Sequence, residues 1–184
     1  LNERLIYGSL SAYGEAGPDA DRAGFDSTAL WARTGLMDLV KPSPESAPAR
    51  SLPGMGDHPT ATALFAAIMS AMYQREKTGK GAQVSTSLLA NGMWWNGLYT
   101  QAVLCGGVVQ CRPPREESDD ALNNLYRTRD DRWIHLNLIH QPHRWSDFAA
   151  LTGDESLMND ARYETPDSRR ENRKPLISSL DVEI

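Results

Sequence analysis

Between Pro59 and Lys77 the sequence keeps a single helical period, with Ala61, Leu64, Phe65, Ile68, Met69 and Met72 forming one apolar stripe. Alanines and Ser70 on the neighbouring faces permit close packing. The run "KTGKG" stops it, with Gly79 and Gly81 as terminators and basic residues at the negative end of the helix dipole. A strand, "AQVSTSLL", follows at once, and residues 88–104 then read as a second, buried helix. Before the long helix, "RLIYGSLSAYG" (4–14) has the composition of a buried strand. "FDSTALWARTGLMDLV" (25–40) reads as a helix through Leu30, Trp31, Leu36, Met37 and Leu39, with Asp26 or Ser27 as N-cap. Residues 41–54 carry four prolines and predict an irregular surface connection. Strand–helix–strand–helix order implies an α/β layer.

The character changes after the polar, proline-containing stretch "RPPREESDDALN". "LYRTRDDRWIHLNLI" (125–139) predicts a β-hairpin turning at Asp130-Asp131, and the remainder to 184 predicts short amphipathic helices. The sequence thus divides near residue 112, into an α/β part over 1–111 and a smaller α+β part over 112–184. A first residue other than Met, and a last stretch, "LISSLDVEI", that stops inside an amphipathic pattern, predict an internal piece of a longer polypeptide.

Several function classes lose ground on composition. A formal net charge of −5 with scattered Lys and Arg lacks the clustered basic face that nucleic-acid binding needs. No apolar run reaches the roughly 18–20 residues of a membrane span, so no membrane partner is predicted. Cys105 and Cys111 stand in no metal spacing and predict two reduced thiols in a cytoplasmic protein. His135, His140 and His143 lie near one another, but strand alternation separates their faces and no Glu or Cys stands at ligand spacing, so no metal is predicted. Gly79-Lys80-Gly81 follows a helix instead of opening one, which favours helix termination over phosphate binding. Neither G-x-S-x-G nor H-E-x-x-H occurs.

Asp57, within "GMGDHPTATALFAAI", supports two readings. An Asp shortly before Pro59 and a helix has the pattern of an N-cap. A carboxylate displayed between a glycine turn and a helix can equally attack an activated acyl group. The flanking glycines would let a substrate approach the backbone, and the helix dipole would favour negative charge there.

Three segments in order resemble the family III CoA-transferases, the CaiB/BaiF group: "NERLIYGSLSAYGEAGPDADRAGFDSTALWARTGLM", "GMGDHPTATALFAAIMSAMYQREKTGKGAQVSTSLL" and "NNLYRTRDDRWIHL". The resemblance covers most of the chain. It implies part of a Rossmann-like large domain followed by a smaller α+β domain. The full-length enzyme would be an interlocked homodimer, with an N-terminal half-domain and a C-terminal return segment absent from this chain. It implies a transferase of the EC 2.8.3 type that uses acyl-CoA and a carboxylic acid, with coenzyme A as cosubstrate and no tightly bound cofactor. Asp57 falls on the family's catalytic aspartate. Arg22, Ala23, Gly24 and Phe25 fall on the segment that lies along CoA, and Asp26 falls on an acidic position near the nucleophile.

Phe25 also separates subfamilies, because the α-methylacyl-CoA racemases of this fold carry a histidine there and phenylalanine moves no proton. A racemase or epimerase is the second reading, and a non-catalytic fragment that keeps the fold is the third. Two departures stand out. The family's Asp-Gly turn is Asp130-Asp131 here, and "LANGMWWNG" lacks an acidic residue common after the strand. Met93, Trp94 and Trp95 could line an acyl pocket, but core packing is the favoured expectation.

Overall fold

The computed structural model describes residues 2–138 and 142–184. It is a mixed α/β structure of two compact units, one of Leu1–Lys41 and Glu45–Cys111, the other of Pro42–Pro44 and Arg112–Ile184.

In the first unit, strands β1 (Ile6–Ser11) and β2 (Ala82–Ser87) pair in parallel, from Ile6 opposite Ala82 to Ser11 opposite Ser87. A parallel pair requires a long crossover. Here it carries a wide helical turn (Asp26–Ala32), the short helix α1 (Leu36–Leu39) and the long helix α2 (Asp57–Thr78). Helix α2 lies on the strands at Gly8, where an added Cβ would sit 3.2 Å from the Ile68 side chain and 3.6 Å from Leu64. Gly79, at φ 73°, ends α2 with its N–H on the Arg75 carbonyl at 2.8 Å. At Gly81 an added Cβ would fall 1.9 Å from the Leu5 carbonyl oxygen, so no other residue fits where the chain enters β2.

Several expectations are corrected. The first strand covers 6–11 and is not buried, since Tyr7 and Leu10 are exposed. The helix expected over 25–40 is broken, because Gly35 adopts φ 79°, a left-handed conformation that interrupts an α-helix. Neither Asp26 nor Ser27 caps it. Thr28 Oγ1 instead accepts from the Phe25 N–H at 2.9 Å and donates to the Phe25 carbonyl at 3.2 Å. On α2 the expected stripe is split: Leu64 and Ile68 lie against β1 at Gly8, whereas Phe65, Met69 and Met72 are exposed, and the buried positions are Thr60 and Ala71. Its apolar residues are spread around the helix, so only part of the stripe packs on the strands.

The buried helix expected over 88–104 is two helices, α3 (Leu88–Trp95) and α4 (Gly97–Leu104), and Trp94, Leu98 and Leu104 are exposed. Ser87 caps α3 through its hydroxyl, which accepts from the Ala90 N–H at 3.1 Å. Gly92 turns inward, where an added Cβ would lie 2.8 Å from Thr34 and 2.9 Å from Leu30. Asn96 closes the break by donating its amide to the Thr34 carbonyl at 2.6 Å. The buried cluster of this unit is Ala29, Leu30, Trp31, Leu36 and Leu88. The proline-containing connection forms no helix or strand, as expected. Ala49 tethers it: its carbonyl accepts from the Trp31 indole at 2.7 Å and its N–H donates to the Met37 carbonyl at 2.8 Å.

In the second unit, β3 (Asn123–Arg127) and β4 (Trp133–Asn137) form the predicted antiparallel hairpin. Asp131 takes φ 68°, the one non-glycine left-handed residue among those described, a conformation that glycine adopts most readily. Arg127 pairs with its carboxylate. Helices α5 (Trp145–Thr152), α6 (Glu155–Asn159), α7 (Pro166–Glu171) and α8 (Arg173–Glu183) follow, again as predicted. They close over Tyr126, Trp145, Leu157, Tyr163, Leu176, Ile177 and Leu180, all buried. Burial pushes the Tyr126 phenol well above its ordinary range, and its hydroxyl donates to the Ala121 carbonyl at 2.7 Å. The Arg169 guanidinium is also buried, donates to the carbonyls of Tyr163 and Glu164, and lies 5.2 Å from the Trp145 ring. That burial lowers its pKa.

Candidate active site

The turn Gly54-Met55-Gly56-Asp57 leads straight into α2. Asp57 is the first residue of the helix, not its cap. The N-cap is Gly56, whose backbone is already helical (φ −90°, ψ −37°) and which has no side chain to offer. Free first-turn donors are met locally instead: the His58 N–H reaches the Gly54 carbonyl at 3.0 Å and the Thr60 N–H reaches the Gly56 carbonyl at 3.3 Å. The buried Thr60 hydroxyl donates to the same Gly56 carbonyl at 2.7 Å. Asp57 is exposed, and its carboxylate has no hydrogen bond or ion pair among the described residues. A carboxylate at this end of a helix, without a capping duty, is available to an incoming electrophile.

The turn is held from one side by the wide helical turn. Asp26 Oδ2 accepts from the Gly54 N–H at 2.7 Å across 28 residues of sequence. Gly56 is pressed against the same residue, where an added Cβ would meet the Asp26 Cβ at 2.7 Å and the Leu30 Cβ at 3.2 Å. Gly54 takes φ 83° with the His58 ring beneath it, 3.0 Å from where a Cβ would stand. The wide turn arises because the Arg33 N–H bonds the Thr28 carbonyl, five residues back, at 3.0 Å. Single wide turns of this kind recur at functional sites.

The other predicted residues lie on the segment that enters that turn. Gly24 is packed between Ala12, Ala29 and the Tyr13 ring, each 3.0 Å from an added Cβ. Phe25 is 74% exposed, and Ala23 is exposed beside it. Arg22 is exposed and pairs with Asp19 at 3.1 Å, a carboxylate that Arg33 also engages at 2.9 Å. The structure therefore joins Asp26 directly to the turn of Asp57 and leaves Arg22, Ala23 and Phe25 facing solvent. Sequence reasoning missed the part played by Gly54 and Gly56. Its signal was the Gly-x-Gly spacing immediately before the acid.

Elsewhere, the core expectation for Met93, Trp94 and Trp95 is overturned, since all three are exposed, Trp94 by 83%. An apolar cleft of the same unit is lined by Leu39, Tyr99, Val103 and Leu104 and does not include Asp57. Both cysteines are free and exposed. Among the described residues no group of three or more His, Cys, Asp or Glu is placed to hold a metal, and no helix is long and apolar enough to cross a membrane. His135 bonds Asn123 at 3.1 Å, and His140 lies outside the described residues.

The first unit is a mixed α/β unit that presents an unbonded aspartate at the head of its longest helix, and comparison with known proteins gives its family. Over residues 1–184 the chain matches the CoA-transferase family III model and belongs to that family. It is 34% identical over 165 residues to the (R)-2-hydroxy-4-methylpentanoate CoA-transferase of Clostridioides difficile, which covers 89% of this chain and 40% of that protein. It is 29% identical over 178 residues to the cinnamoyl-CoA:phenyllactate CoA-transferase of Clostridium sporogenes, covering 96% of this chain and 43% of that one. Among solved structures, a CaiB/BaiF family protein from Brucella suis superposes with a TM-score of 0.80 at 26% identity, covering 99% of this chain and 47% of the other. The chain thus spans less than half the length of these relatives.

Proposed function

We propose that the full-length protein transfers CoA from an acyl-CoA to a free carboxylic acid, with Asp57 as the nucleophile. The observation that carries this reading is the exposed Asp57 carboxylate, without a bonding partner, on the first turn of α2. Relatives named as CoA-transferases, the two above and the succinyl-CoA:glutarate CoA-transferase of Mus musculus among them, support the reaction class.

An Asp57 oxygen attacks the thioester carbonyl, the C–S bond breaks, and a mixed anhydride and CoA thiolate result. The thiolate attacks the Asp57 carbonyl and releases the donor acid as carboxylate, leaving an aspartyl-CoA thioester. The acceptor carboxylate attacks that thioester and expels the thiolate again, forming a second anhydride. Thiolate attack on the acceptor carbonyl then yields the new acyl-CoA and restores the Asp57 carboxylate. No proton is consumed in any step. The helix N-terminus stabilises negative charge as it develops nearby.

Arg22, Ala23, Gly24 and Phe25 are assigned to the CoA-facing segment on the family resemblance, and the exposure of Arg22, Ala23 and Phe25 supports this. Homodimeric assembly rests on the same resemblance, a cytoplasmic site of action on the two cysteines read as reduced thiols, and a division into domains over 1–111 and 112–184 on the change in sequence character near residue 112. The test is trapping. Full-length enzyme incubated with acyl-CoA and hydroxylamine acquires a hydroxamate at Asp57, detected by mass, and Asp57→Ala loses about 1,000-fold or more in transfer. Undiminished transfer by Asp57→Ala would remove the reading.

A further inference from the structure

We infer that Asp26 is a positioning residue, an acceptor that clamps the nucleophile's turn, and not a group that contacts substrate. The inference rests on the assignment of Asp57 as nucleophile and concerns how that residue is aimed.

Three observations converge on Asp26. Its Oδ2 atom accepts from the Gly54 N–H at 2.7 Å, the one long-range side-chain bond to the turn among the described residues. Its Cβ lies 2.7 Å from where a Gly56 Cβ would be, so the carboxylate and the backbone on both sides of Met55 are in contact with one residue. Asp26 itself is fixed, because the Phe25 carbonyl accepts from the N–H groups of Thr28 at 3.1 Å and Ala29 at 2.7 Å, and Thr28 Oγ1 bonds Phe25 at both its N–H and its carbonyl. Gly54 has positive φ, a conformation whose neighbours gain most from an external tether. The bonds therefore run from Thr28 through Phe25 and Asp26 to Gly54, and on from the Gly54 carbonyl to the N–H of His58, the residue next to Asp57.

What the clamp requires is an oxygen acceptor at the Oδ2 position. Negative charge is not required. That distinguishes it from a carboxylate that touches substrate or moves a proton. In the full-length protein, Asp26→Ala should lower kcat by about 100-fold, the effect of a nucleophile displaced by about 1 Å, with KM for acyl-CoA nearly unchanged. Asp26→Asn keeps an acceptor oxygen and should recover kcat to within about five-fold of the parent. Hydrogen exchange supplies a readout independent of activity: the Gly54 amide should be protected in the parent and in Asp26→Asn and exchange freely in Asp26→Ala. An Asp26→Asn variant as slow as Asp26→Ala, with Gly54 still protected, overturns the clamp in favour of a charge role. A Gly54 amide already unprotected in the parent overturns it as well, even where Asp26→Ala fails to fold. Failure of the nucleophile reading would show separately, as full transfer by Asp57→Ala with the Gly54 amide still protected.

Discussion

Ten residues, from Ala121 to Leu180, close into one buried cluster in the unit of Arg112–Ile184, whereas the larger unit carrying Asp57 buries a cluster of five. The large apolar side chains of that second region point outward instead: Phe65, Tyr73, Trp94, Leu98 and Leu104 are all more than 60% exposed. Its close contacts are made by glycines, with Gly8 against Ile68, Gly56 against Asp26 and Gly92 against Leu30. One region is held by side-chain volume and the other by backbone approach.

Paired truncations break this comparison most directly. Leu176→Ala, at a fully buried position, should cost about 2–5 kcal/mol, read by hydrogen exchange of the 112–184 peptides. Phe65→Ala, at 62% exposure, should stay within about 0.5 kcal/mol by the same measurement on the first unit. A Phe65 effect equal to that of Leu176 would show that the long helix buries its outer face after all. Next in size is the hairpin. Asp131→Gly removes a left-handed strain and should raise the stability of the second unit by about 0.5–1 kcal/mol, while a loss would credit the Arg127 pair with more than an exposed pair ordinarily gives.

Asp57→Ala should shift stability by no more than about 0.5 kcal/mol, because only the helix dipole is affected. A larger loss would mark Asp57 as structural. The smallest effect is acid sensitivity of the second unit. A side-chain bond from Ser156 lowers the Asp154 pKa, and one from Arg162 lowers that of Asp160, both from the ordinary 3.8. Carboxyls depressed in the fold contribute stability above that value and lose it as pH falls through the depressed range. Exchange of the 154–163 segment should therefore accelerate below about pH 4.

The same contrast decides what could be read from sequence. The second unit was legible because its helices are amphipathic and fold back over short distances, so pattern and burial agree. The position of α2 was legible too: Pro59–Lys77 was expected and Asp57–Thr78 is observed, with Gly79 as the stop. Its buried face was not legible, since apolar residues surround it. The break at Asn96 was missed because it depends on a partner far along the chain, the Thr34 carbonyl, and the break at Gly35 because apolar spacing continues across a glycine whose left-handed backbone it does not reveal. At the candidate site, local spacing suggested a cap for Asp57, and only the backbone of Gly56 shows that the capping place is already taken.

The Ala49 tether has its own consequence for how such a chain can vary. Because that residue is held by Trp31 at its carbonyl and by Met37 at its N–H, the connection between α1 and α2 is two short spans instead of one long loop. Residues inserted or deleted ahead of Ala49 are absorbed at small closure cost and leave the aim of Asp57 unchanged. The same change between Ala49 and Gly54 has little slack to draw on and should shift the turn that leads into Asp57. Insertions into this chain should therefore be tolerated on one side of a single alanine and not on the other.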